Sequence, residues 1–188
     1  DVTFTGAAGV APYTFTYKIN GGASQTINST GNTVSIQVPT GTAGTFVYTL
    51  VDVKDASSTT CNQAQSGTAT VTVNPLPTGN FNFTIPSCET RNITFTDASV
   101  ANAGTLNNWQ WNFGDAGSGN NTSALQSPAH TYTTTGTYLV SLIATTDKGC
   151  VSPLFSRNVT INARPLAGFI SPEVCMTDPN APFIDTSK

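Results

Sequence analysis

The chain has 188 residues, of which 9% are charged, and its formal net charge is −3 with a sequence pI near 4.8. The seven lysines and arginines are scattered and build no basic stripe, which argues against a nucleic-acid-binding role. No apolar run approaches the roughly 18 residues of a membrane span, so we expect no membrane insertion. Thr, Ser, Asn and Gly stand where charged residues are usual, and this mixture favours strands and turns over helices.

The low charge also indicates a location. Ordinary soluble domains are about 25% charged, whereas here hydroxyl and amide groups must solvate the surface. We therefore expect an extracellular protein, either secreted or at the cell surface. The first residue is Asp1 rather than Met, so we also expect processing or excision at the N-terminus.

The first predicted strand is Pro12–Ile19, in which apolar and polar residues alternate. This period of two puts four apolar side chains on one face: Tyr13, Phe15, Tyr17 and Ile19. The stretch "NGG" at Asn20–Gly22 follows and predicts a type I′ hairpin turn, which needs positive φ. A second strand is predicted at Gly44–Val53.

Two pairs of segments repeat along the chain at a nearly constant distance. The stretch Val71–Phe81 resembles Val159–Phe169, 88 residues later, and Cys88–Ser99 resembles Cys175–Ser187, 87 residues later. A repeat of this length matches one immunoglobulin-sized β-sandwich. The sequence thus predicts tandem antiparallel β-sandwiches of the all-β class.

The repeat also predicts the domain boundaries. We expect one immunoglobulin-like domain over residues 1–74, lacking its first strand, and a second domain over residues 75–162. Residues 163–188 would be the first strands of a truncated third copy, so we expect a longer protein around this segment. Prolines 75, 77 and 165 fall at the joints and should keep them short and stiff, because proline fixes φ.

The stretch "WQWNFGD" at Trp109–Asp115 places three aromatic residues at every second position. Trp109, Trp111 and Phe113 should share one face and form much of a small core. Gly114 is expected to take a conformation that other residues avoid, and Asp115 to cap the turn with its side chain. The alternative is an exposed platform on which sugars stack.

Few residues in this sequence are candidates for catalysis or metal binding. His130 is the only histidine, and we expect it to hydrogen-bond to backbone or to Asp115. We recognise no nucleophile or acid–base carboxylate pair, so we expect no catalysis and no cofactor. Asp97, Asp115 and Asp147 could meet and bind calcium, but turn capping is favoured because no Asp-x-Asp-x-Asp loop is present.

Four cysteines occur without any Cys-x-x-Cys pair, which disfavours zinc and thiol redox chemistry. We predict a Cys88–Cys150 disulfide, worth about 4 kcal/mol in the chain-entropy model, and hence an oxidising compartment. The repeat then puts the partners of Cys61 and Cys175 outside the sequence. The alternatives are a Cys61–Cys175 bond or free thiols.

Three motifs in order resemble the polycystic-kidney-disease (PKD) domain: Trp109–Asp115, "SPAHTY" at Ser127–Tyr132, and "GTYLVSLIATTDKGC" at Gly136–Cys150. The resemblance implies an immunoglobulin-like β-sandwich over residues 75–162. It gives the motif set Trp109, Trp111, Phe113, Gly114, Asp115, His130, Tyr132 and Tyr138. Domain one has no Trp and no Phe-Gly-Asp, and is similar to the immunoglobulin-like repeats of long Bacteroidetes surface proteins.

The resemblance implies two functions. The first is a rigid stalk or filament segment of a large adhesin or gliding-motility protein, whose partners are neighbouring repeats, identical chains packed laterally, and surface glycans. The second is a spacer or carbohydrate-binding module of a secreted hydrolase. Neither function involves a metal.

Overall fold

The structure is a computed structural model that describes residues 1–57, 61–84, 91–171, 173, 176, 180 and 183–188. The described residues contain strands and turns but no helix, and they divide into two units, Asp1–Pro75 and Leu76–Lys188. Within those ranges there is accordingly no helix with the length and apolar character needed to cross a membrane. The predicted all-β fold with antiparallel sandwiches is confirmed.

The first unit, Asp1–Pro75, is built from two sheets that enclose an aromatic core. Its strands are β1 Val2–Thr5, β2 Thr14–Ile19, β3 Gln25–Asn28, β4 Thr33–Ile36, β5 Gly44–Lys54 and β6 Asn62–Val73. The order is β3-β2-β5-β6 in the larger sheet, while β1 pairs with β4 in the smaller one. The buried side chains come from both sheets: Val2, Phe4, Tyr13, Phe15, Tyr17 and Tyr48.

Strand β2 has the predicted alternation. Tyr13, Phe15 and Tyr17 are buried, and Ile19 packs against the same core. Asn20 and Gly21 both have positive φ, 51° and 71°, and the Gly22 N–H donates to the Ile19 carbonyl at 2.9 Å. This is the backbone of the predicted type I′ turn.

The second unit, Leu76–Lys188, contains a larger sandwich. Its strands are β7 Phe81–Phe83, β8 Asn92–Asp97, β9 Leu106–Asn112, β10 Thr122–Ser123, β11 Ala129–Thr131, β12 Gly136–Thr146 and β13 Phe155–Ile161. One sheet has the order β10-β9-β12-β13 and the other β11-β8-β7. The core between them consists of Phe81, Ile93, Phe95, Trp111, Phe113, Tyr132, Val140, Leu142, Val159 and Ile161.

Strands β5 and β12 occupy the same place in the two units. Each has 11 residues. β5 is the third strand in the sheet order β3-β2-β5-β6, and β12 is the third strand in the order β10-β9-β12-β13. Each also pairs antiparallel with the next strand in the same register, Gly44 with Val73 and Gly136 with Ile161. The two predicted strands are therefore structural counterparts.

Residues 166–188 contain two further short strands, β14 Phe169–Ile170 and β15 Ile184–Asp185, which pair antiparallel. We call this stretch the C-terminal hairpin. The large apolar side chains that the structure describes in this hairpin are exposed, in contrast to the closed core of the sandwich.

Candidate functional site

The two tryptophans of the stretch Trp109–Asp115 lie on the inner side of β9. Trp111 is only 2% exposed and its ring centroid lies 5.1 Å from that of Phe81 and 5.6 Å from that of Phe95. Its indole N–H donates to the Leu125 carbonyl at 2.9 Å. Trp109 is half-buried, and its indole N–H donates to Asp97 Oδ2 at 2.8 Å. A sugar-stacking platform needs open ring faces, and Trp111 offers none.

Gly114 ends this stretch in a conformation that glycine favours. Its φ is +71°, and its N–H donates to Asn112 Oδ1 at 2.9 Å. A Cβ added here would lie 2.6 Å from the carbonyl oxygen of Leu139 in β12. Glycine is therefore needed both for the turn and for the close approach of the two strands.

Asp115 does not cap the turn with its side chain, which corrects the sequence-based expectation. Its carboxylate oxygen Oδ2 lies 3.2 Å from His130 Nε2, inside the sandwich. The capping groups are amide oxygens instead, since Asn112 accepts from Gly114 and Asn121 Oδ1 accepts from the Asp115 N–H at 2.7 Å. The buried imidazole attracts the carboxylate inward, because a buried polar ring needs a hydrogen-bond partner.

His130 is enclosed by aromatic rings. Its ring stacks on Phe113 with centroids 4.5 Å apart and planes 10° apart, and meets the edge of Tyr132 at 4.6 Å. Both His130 and Asp115 are buried. The pair is thus a hydrogen bond within the core.

The two tyrosines of the motif continue this cluster. Tyr132 is fully buried and its hydroxyl donates to the Phe113 carbonyl at 3.0 Å, while its ring lies 4.2 Å from that of Tyr138. The Tyr138 hydroxyl donates to the Thr134 carbonyl at 3.0 Å. Burial, followed by the negative charge of Asp115, raises the pKa of Tyr132 well above its ordinary value. The hydroxyl therefore stays protonated and donating.

The three aspartates considered for calcium have separate tasks. Asp97 accepts from Trp109, Asp115 faces His130, and Asp147 Oδ1 accepts the Thr105 N–H at 2.9 Å. In the described part of the chain, no three His, Cys, Asp or Glu side chains gather closely enough to hold a metal ion.

The cysteines give no support to the predicted bond. Cys150 is half-buried and Cys61 is exposed, and these two described cysteines form no bond with each other. Cys88 and Cys175 lie outside the described residues. The Cys88–Cys150 disulfide therefore stays a prediction.

Three contributors had no sequence signal that we recognised. Asn121 caps the Asp115 turn from six residues away, and Asp97 binds the Trp109 indole. Arg157 on β13 donates to the Phe81 carbonyl at 2.9 Å, and its guanidinium lies 5.3 Å from the ring centroid of Phe83. The Asp97 and Arg157 contacts join strands that only the tertiary fold brings together, and the Asn121 contact lies within an irregular loop, so strand periodicity carries no trace of any of them.

The fold and the buried motif together define an immunoglobulin-like β-sandwich in which the turn at Gly114 packs closely against β12. A family model described as "PKD domain" matches residues 74–161. This match supports the PKD-type domain that the motifs predicted, and we call this second sandwich the PKD-type sandwich.

Several solved structures are similar to part of this chain. The PKD1 domain of Vibrio anguillarum Epp is 27% identical, with 48% of this chain and 98% of that chain covered and a TM-score of 0.42. The PKD1 domain from Vibrio cholerae metalloprotease PrtV is 24% identical, with coverages of 47% and 100% and a TM-score of 0.40. A structure of carbohydrate-binding modules from the β-sandwich superfamily is 20% identical, with coverages of 58% and 53% and a TM-score of 0.42. A search of the curated proteins found no match.

Proposed function

We propose that this chain is a segment of an extracellular structural protein, in which tandem β-sandwiches serve as a stiff spacer and carry out no reaction. The observation behind the proposal is that the motif's polar groups bind one another inside the core. Asp115 binds His130, and Tyr132 binds the Phe113 carbonyl. Among the described residues no buried side-chain N or O atom lacks a hydrogen-bond partner. These internal hydrogen bonds stabilise the sandwich and support a structural role.

A contact between the first and last strands of the PKD-type sandwich supports a role under tension. Strands β7 and β13 are edge strands of the two facing sheets. Arg157 on β13 donates to the backbone of Phe81 on β7, and the Phe81 and Phe155 rings meet edge to face at 5.5 Å. A pull on the two ends of residues 74–161 reaches these strands first, so Arg157 holds together the strands that the pull separates.

Replacing Arg157 by Ala should lower the force at which the second unit unfolds. The change removes a charged hydrogen bond and a cation–π contact, and because Arg157 is exposed we expect a loss of about 1 kcal/mol in unfolding free energy. Single-molecule pulling from both chain ends measures the force. The matched control is Arg164→Ala, which removes the same charge from an exposed position outside the sandwich. Equal unfolding forces for the two variants would contradict the role of Arg157.

The linker between the two units supports the spacer proposal for the whole chain. Residues 74–77 read Asn-Pro-Leu-Pro, and prolines restrict the backbone of a linker. A stalk or filament built from such repeats would place an adhesive or motility tip away from the cell surface, next to neighbouring repeats, identical chains and surface glycans.

The test of the spacer is the shape of the intact chain in solution. Small-angle scattering should give an elongated particle with a narrow distribution of intramolecular distances. A variant with a Gly-Ser linker inserted after Pro75 should give a broader distribution, because Gly-Ser chains are flexible. A compact particle, or identical distributions for the two proteins, would count against the spacer.

A groove beside the motif favours a second candidate function, an accessory module that binds a polysaccharide. Its volume is about 360 Å³, and hydroxyl and amide side chains line much of it: Ser118, Asn120, Thr122, Ser123 and Thr131. Such groups suit sugar hydroxyls. Retention of the chain on insoluble chitin or cellulose, and its loss in Asn120→Ala, would favour this module over the spacer.

A further inference from the structure

The C-terminal hairpin repeats the backbone hydrogen bonds of the first hairpin of the PKD-type sandwich, residues 78–100. In the first hairpin, Thr78 and Val100 exchange two backbone bonds of 2.8 and 2.9 Å. Leu166 and Lys188 lie 88 residues later and exchange two bonds of 2.8 Å each. The strand register is also the same, with Phe81 opposite Asp97 and Phe169 opposite Asp185. The two stretches therefore have one backbone geometry.

The side-chain bonds match as well. Ser99 accepts the Asn80 N–H at 3.1 Å, and Ser187 accepts the Gly168 N–H at 3.2 Å. The Ser99 N–H donates to Asp97 Oδ1 at 3.0 Å, and that of Ser187 to Asp185 Oδ1 at 2.9 Å. The hydrogen bonds from the Ser187 N–H and the Ser187 hydroxyl hold the pKa of Asp185 below its ordinary value, so the carboxylate is a charged acceptor.

The aromatic pair of the two hairpins has the same geometry but a different exposure. The rings of Phe81 and Phe95 lie 5.9 Å apart at 74°, and those of Phe169 and Phe183 lie 5.7 Å apart at 73°. Phe81 and Phe95 are each 0% exposed, whereas Phe169 is 69% exposed and Phe183 is 68% exposed. The C-terminal hairpin thus presents outward a face that its counterpart buries.

The first hairpin shows what such a face accepts. Trp111 on β9 and Phe113 just after this strand cover it, with the Phe113 ring 5.3 Å from that of Phe95. From the same strand, the Trp109 indole donates to Asp97, the counterpart of Asp185. A second copy of the hairpin has no tryptophan in its sequence and would therefore supply no such indole donor.

We propose that the Phe169–Phe183 face of the C-terminal hairpin is a docking surface for a four-stranded antiparallel β-sheet whose inner face carries alternating aromatic residues, with an indole N–H directed at Asp185. The sheet β10-β9-β12-β13 is the pattern for this partner. Docking would complete another PKD-type sandwich around the hairpin.

The test supplies this sheet in register. A second copy of residues 101–162 is fused directly after Lys188 of the full chain, because residue 188 is the counterpart of residue 100. The amides of β14 and β15 should then exchange with solvent on the order of a hundredfold more slowly than in the unfused chain. The matched control is the same fusion carrying Phe169→Ser and Phe183→Ser, which should lose this protection while the original sandwich keeps its own.

Two results would overturn the proposal. The first is that the amides of β14 and β15 exchange as fast in the fusion as in the unfused chain, both with Ser171 and with Ser171→Phe. The Ser171→Phe change places a ring at the counterpart of Phe83. The fusion with Ser171→Phe is included because the added ring should stabilise a third sandwich that is otherwise not stable enough to fold. The other is concentration-dependent protection of β14 and β15 in the unfused chain, which would assign the face to a second copy of the hairpin.

Discussion

Gly114→Ala should cost the second unit about 3 kcal/mol or more of unfolding free energy. The native φ of +71° strains an alanine by about 1–3 kcal/mol. The new Cβ would also lie 2.6 Å from the Leu139 oxygen and 2.9 Å from its nitrogen, and these are backbone atoms of β12 that side-chain motion cannot move aside. Overpacking of this kind adds about 1–3 kcal/mol. Denaturant unfolding followed by tryptophan fluorescence measures the change, since both tryptophans lie in this unit.

Gly117→Ala in the same loop is the matched control. A Cβ at Gly117 would meet nothing within 4 Å, and its φ is not in the left-handed region. We expect a change within about 0.5 kcal/mol, as for other exposed positions. If both variants lose stability equally, the cost comes from the loop in general, and the close approach of Gly114 to β12 is not its cause.

Trp111→Ala should destabilise the second unit by about 3–5 kcal/mol, the usual cost of removing a buried aromatic side chain. The loss would leave Phe81, Phe95 and Phe113 without the ring that they contact. Trp109 remains as the fluorescent reporter. Because domains are stable by only about 5–15 kcal/mol, the variant should unfold at a much lower denaturant concentration.

Trp111→Phe separates packing from hydrogen bonding at this position. The phenyl ring keeps part of the contact with Phe81 but leaves the Leu125 carbonyl without its indole donor, so we expect a loss of about 1–3 kcal/mol. The platform hypothesis makes the opposite prediction for Trp111→Ala. It requires stability near that of the native chain together with loss of polysaccharide retention.

Much of the fold could be predicted because its determinants are local. The alternation in β2 and the spacing of Trp109, Trp111 and Phe113 follow from the period of a strand, and Gly114 follows from the demands of a tight turn. The 88-residue repeat then extends these local patterns to an architecture. None of this needs knowledge of which strands lie together.

The contacts within the site were harder to predict from the sequence. The sequence offered Asp115 two roles, turn cap and partner of His130, and only the stacking of His130 under Phe113 decides where the carboxylate points. The bond from Arg157 to Phe81 joins residues 76 positions apart. The exposure of Phe169 and Phe183 cannot be predicted from residue type, because the residues at their counterparts Phe81 and Phe95 are of the same type.

The matched register of the two hairpins has a consequence for how such a protein changes length during evolution. A genetic crossover between a position in residues 95–100 and its counterpart in residues 183–188 removes or duplicates 88 residues. The hybrid hairpin keeps the pairing register of its two strands, so the descendant chain gains or loses one whole module and no strand of the hairpin is left unpaired. Gene-level recombination can thereby tune the number of modules while each remains foldable.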